Sequence, residues 1–108
     1  MDSVILTFPA DPSALAAPAC SLSPDSMRER AGAWASLRDR YLIERTRSEN
    51  RAMSRWQAEG LVEVQALVEA ERDCCPFLAF TLTLGEEWIE LETMFPDGVS
   101  SGLFPDVG

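Results

Sequence analysis

Leu42-Ile43-Glu44-Arg45-Thr46-Arg47-Ser48-Glu49-Asn50-Arg51-Ala52-Met53-Ser54-Arg55-Trp56-Gln57 is the stretch on which the fold turns. No Gly or Pro punctuates it, so a helix running through Arg55 is one reading. A sustained apolar face at helical spacing is missing, however. Leu42–Thr46 and Ala52–Trp56 instead suit two strands around the polar turn Ser48-Glu49-Asn50. We adopt the hairpin; the helical reading would make the chain a helical pair over one hairpin.

Upstream, Ser23-Pro24-Asp25 predicts a helix start, with Ser at the N-cap, Pro at the first helical position and Asp facing the positive end of the dipole. Met27, Ala31, Trp34, Leu37 and Tyr41 follow as one stripe. Downstream, Ala58-Glu59-Gly60 opens a second helix with Leu61, Val64, Leu67, Val68 and Glu71 on one side. Pro76 ends it by forcing Cys75 out of helical geometry. Leu78, Phe80, Leu82 and Leu84 then alternate with Ala79, Thr81 and Thr83, and Ile89, Leu91, Thr93 and Phe95 alternate with Trp88, Glu90, Glu92 and Met94. A two-residue turn at Gly85-Glu86 would set Leu82 opposite Ile89 and Phe80 opposite Leu91, with the acids toward solvent. Two segments compete for the first strand, Val4–Phe8 and the piece around Cys20 and Leu22.

Strand, helix, hairpin, helix, hairpin is the order of an α+β, ferredoxin-like split βαβ sandwich (β-α-β-β-α-β-β), an antiparallel sheet with two helices on one face. Residues 1–108 read as a single domain, with 1–18 an N-terminal strand and loop extension, 19–97 the core and 98–108 a tail.

A net charge of -9 argues against a nucleic-acid surface. All nine basic residues are Arg, and eight of them lie between Met27 and Arg55 against four acids. A basic half of this kind could dock on an acidic partner or on a second copy, so a homodimer is one expected partner. The N-terminal run is short and is followed at once by Pro9, Asp11 and Pro12. It predicts neither a signal peptide nor a membrane span, and the expected location is cytoplasmic. With no histidine in the chain, Ser-His-Asp triads, Cys-His pairs and His-ligated zinc or iron are excluded.

What remains is thiol chemistry. In the split βαβ order, the start of the first helix and the end of the second lie at one sheet edge. Cys20 is thereby expected to meet Cys74 and Cys75, with Glu71 on the same helical face as the pair. Three soft donors and a carboxylate form a metal site for Zn, Hg, Cu or As, and not for Mg or Ca. Cys20, beside a helix N-terminus, would be the most reactive of the three. Two other readings stay open, a thiol redox protein and an interaction domain in which the cysteines are core filler.

Glu71-Arg72-Asp73-Cys74-Cys75-Pro76-Phe77, together with Ala19-Cys20-Ser21, resembles a family of small uncharacterised bacterial proteins with a Glu-x-x-Cys-Cys-x-Phe corner and an upstream cysteine. The likeness spans residues 18–97. That family is loosely associated with mercury and arsenic resistance settings. The resemblance implies that Cys20, Cys74, Cys75 and Glu71 belong together. The chain departs from the family pattern at Ser54, where an aliphatic residue is expected, and in lacking a Gly turn in the middle hairpin.

Overall fold

A computed structural model describes residues 4–14 and 23–108. The elements run β1 (Val4–Phe8), α1 (Pro24–Tyr41), β2 (Leu42–Ser48), β3 (Arg51–Gln57), α2 (Leu61–Cys74), β4 (Ala79–Leu84) and β5 (Trp88–Met94). The protein is therefore α+β, with two helices and one five-stranded sheet in the order β1-β4-β5-β3-β2, every pairing antiparallel.

The chain order is the expected one, and β1 does neighbour β4. The sheet order departs from the ferredoxin-like expectation because β5 lies between β4 and β3, which leaves β1 at an edge. Composition explains the placement. Ile89, Leu91 and Thr93 of β5 are all exposed to 1% or less, and a strand whose whole inner row is so well covered belongs in the middle of a sheet. The first strand is Val4–Phe8; the competing piece around Cys20 lies outside the described residues.

The deciding stretch is a hairpin. β2 and β3 flank the turn Glu49-Asn50, and α1 passes into β2 without a loop. Leu42 is already extended (φ -67°, ψ 129°), while its N–H still donates to the Arg38 carbonyl. Ile43 forms a bulge, where pairing slips from Leu42↔Trp56 to Glu44↔Arg55. A bulge on an edge strand bends it away from unwanted pairing. The unexpected Ser54 is buried, and its hydroxyl accepts a 2.8 Å hydrogen bond from the Trp56 indole two residues on. A buried indole N–H needs an acceptor, which an aliphatic residue could not supply.

The helix termini follow the sequence. Ser23 caps α1, its Oγ accepting from the Ser26 N–H at 3.2 Å. At the start of α2, Gly60 packs so close to Tyr41 that a Cβ would fall 2.8 Å from the ring. Both helices cover one face of the sheet. Trp34 and Leu37 of α1 and Val64 and Val68 of α2 share a core with Ala52, Trp56, Phe80, Leu82, Ile89 and Leu91. Trp34 and Trp56 meet at 6.1 Å between ring centroids.

The last hairpin keeps its expected faces but not its expected register. Leu82 lies opposite Leu91 and Leu84 opposite Ile89, a shift of two residues. The tip moves one residue on, to Glu86-Glu87: the Gly85 N–H donates to the Trp88 carbonyl across it, and Glu87 O accepts from Ala58 N, tying the tip to the start of α2. A two-residue slip returns every side chain to its original face, so the inner row is unaffected. Glu90 and Glu92 lie on the outer face, paired with Arg55 and Arg51 across the strand boundary.

Beyond β5 the chain turns back beneath β2. Phe104 packs between Phe77 and Phe95, at 5.7 and 5.9 Å. Arg47 donates to the carbonyls of Ser101 (2.6 Å), Phe104 (2.9 Å) and Val107, Arg45 to those of Pro105 and Gly108, and Arg38 to that of Asp106. Among the described residues no helix is long and apolar enough to cross a membrane.

Candidate functional site

The last turn of α2 places three donor groups together. Helical spacing sets Glu71 and Cys74 on one face, and Pro76 turns Cys75 out of the helix at φ -128°, ψ 70°, its N–H still donating to Glu71 O at 2.7 Å. The Leu78 N–H then donates to Cys75 O, which closes the corner before β4. A carboxylate oxygen of Glu71 and the sulfurs of Cys74 and Cys75 all lie within 4.8 Å of one another, and all three residues are buried. The two sulfurs are 3.5 Å apart, far beyond a disulfide bond. Cys74 Sγ also donates to the Glu71 carbonyl at 3.5 Å.

A carboxylate buried at this depth requires a cation or a proton. Arg30 supplies the cation. It reaches from α1 to place Nη1 2.5 Å from Glu71 and 3.7 Å from Cys74 Sγ. Burial opposes charge on Arg30, but the hydrogen bond and charge of Glu71 and the neighbouring Cys74 more than offset it, and the guanidinium is held above its ordinary value. Arg30 thereby bridges the carboxylate and one of the two sulfurs.

A pocket of about 90 Å³ adjoins the cluster, walled by Arg30 and Trp34 of α1, by Glu71 and Cys75, and by the returning tail at Phe104 and Asp106. The Trp34 indole N–H is buried in the core without an acceptor among the described residues. A wider depression of about 200 Å³ lies over the outer sheet face at Glu44, Met53, Arg55 and Glu90. Its acids already pair with Arg55 and it offers no soft donor, whereas the two sulfurs and Glu71 adjoin the smaller pocket.

Of the four expected site residues the structure brings together Glu71, Cys74 and Cys75; Cys20 lies outside the described residues. Arg30, Trp34 and the tail were not anticipated. The signal for Arg30 was Glu71 itself, since an acid on an otherwise apolar helical stripe needs a partner, and Arg30 precedes Ala31 on the stripe of α1. No family model, curated protein or solved structure matches the chain.

Proposed function

We propose that the protein binds a soft metal or metalloid ion, of the kind of Zn, Hg, Cu or As, as a sequestering, carrier or sensing module. Cys74, Cys75 and Glu71 act as donors, and Cys20 is the expected additional thiol. The observation that carries this reading is the convergence of two sulfurs and a carboxylate within 4.8 Å in a buried corner. Thiolates select thiophilic ions over Mg and Ca, and burial excludes competing water from them. Native mass spectrometry of wild type and of Cys20→Ser, Cys74→Ser and Cys75→Ser, titrated with Zn(II), Hg(II), Cu(I) and arsenite, tests the proposal. One equivalent bound by wild type and lost in Cys74→Ser and Cys75→Ser is the expected result. No stoichiometric binding of any ion, or equal binding by those two variants, overturns it.

A second copy of the chain is the proposed protein partner, joined along the β1 edge. Val4–Phe8 carries no charge, and Val4 and Ile5 are more than half exposed. The opposite edge, β2, is bulged and bears Glu44, Arg45 and Arg47, the usual devices against edge pairing.

A further inference from the structure

One nitrogen of Arg30 touches both kinds of donor in the cluster. Nη1 lies 2.5 Å from Oε1 of Glu71 and 3.7 Å from Sγ of Cys74. Metal bonds of about 2.1 Å to a carboxylate oxygen and about 2.3 Å to a thiolate sulfur would put an ion shared by Glu71 and Cys74 in the same gap. The guanidinium stands where such an ion would stand, and it carries charge of the same sign. An ion that draws on Glu71 must first move Arg30 away.

The displacement is opposed by burial. The two side chains keep 21% and 4% of their exposure, so a guanidinium parted from its acid loses its partner in surroundings that water reaches poorly. A residue that merely oriented the carboxylate would hold one of its oxygens and leave the sulfur alone, as the outer partners of metal ligands do. Arg30 engages both donors.

Resting on the soft-ion reading above, we infer that Arg30 is a specificity-determining residue: by holding Glu71 it turns the centre away from ions that need a carboxylate to complete their shell and toward ions that sulfur alone satisfies. Zn(II) is of the first kind. It closes a shell of four, in which three thiols, with Cys20 as the third, leave one place for Glu71. Cu(I) is of the second kind, softer and content with thiolate sulfur. Glu71 thus serves as a donor only to an ion that displaces Arg30, and that requirement is what separates the two.

Affinities of the full chain for Zn(II) and Cu(I), measured by competition with chromogenic chelators in anaerobic buffer, test the inference. Arg30→Met keeps the reach of the side chain while freeing the carboxylate. It is expected to raise the Zn(II) affinity by about tenfold relative to the Cu(I) affinity, the size of one hydrogen bond to a charged group. Arg30→Gln, neutral but still able to donate to Glu71, shifts the ratio in the same direction and serves if Arg30→Met does not fold. The double variant Arg30→Met/Glu71→Gln is expected to lose the gain, because the carboxylate that Zn(II) would take is gone. An unchanged ratio, a ratio shifted toward Cu(I), or a gain that persists without the carboxylate overturns the inference and leaves the soft-ion proposal standing. Failure of wild type and every variant to bind either ion defeats both.

Discussion

Among the described residues, Arg30 and Glu71 form the most deeply buried ion pair. Their side chains retain only 21% and 4% of their exposure, so removing one partner strands the other's charge away from water. We expect Glu71→Ala to lower stability by about 3–5 kcal/mol, and the double variant Arg30→Met/Glu71→Leu to recover much of that loss, since apolar replacement of a buried pair is often neutral. Urea denaturation of both variants measures it; a double variant no more stable than the single one would mean that the charges are not coupled. Glu71 was legible from the helix period, because it falls where the stripe of Val64 and Val68 calls for an apolar side chain. Arg30 was not, because which residue of α1 faces it depends on how the two helices are rotated against each other. Ser54 shows the same limit: its burial beneath Trp56 is a side-chain bond that no strand pattern encodes.

The elements were read from caps and punctuation, and their joints were harder. Ser23 and Pro76 fixed a start and a stop that the structure repeats, and the alternation of apolar residues fixed the inner rows of β4 and β5. The hairpin register slipped by two because nothing in Gly85-Glu86-Glu87 specifies which residues form the tip, whereas the bond from Ala58 to Glu87 holds Glu87 there. The joint between α1 and α2 depends on Gly60. Gly60→Ala would set a Cβ 2.8 Å from the Tyr41 ring, and displacing a packed ring is expected to cost about 1–3 kcal/mol. Thermal melts of Gly60→Ala, with and without Tyr41→Leu to relieve the crowding, measure the cost; equal losses in both backgrounds would rule out the contact as its cause.

At the scale of the whole molecule, the charge asymmetry of the sequence is resolved internally. All eight arginines between Met27 and Arg55 have partners within the chain: Arg28 with Asp25, Arg30 with Glu71, Arg40 with Glu63, Arg51 with Glu92, Arg55 with Glu90, and Arg38, Arg45 and Arg47 with tail carbonyls. The charge of the Arg-rich half is thus engaged within the chain, and the edge of β1 carries the association we propose. Light scattering is expected to return twice the 11.9 kDa chain mass. Ile5→Lys, which charges the edge, is expected to return the single mass. A monomer at micromolar concentration in the wild type removes the dimer. None of this was readable from composition, since the number of arginines says nothing about whether backbone oxygens will take them up.

The manner in which those oxygens are taken up carries a consequence of its own. Arg38, Arg45 and Arg47 grip the final segment by its main chain, and every peptide offers the same carbonyl whatever side chain it bears. The fastening is blind to the letters it fastens. Leu103, exposed at the rim of the thiol pocket, can thus be rewritten while the segment that carries it stays in place, so the lining of the pocket can change here without renegotiating the fold.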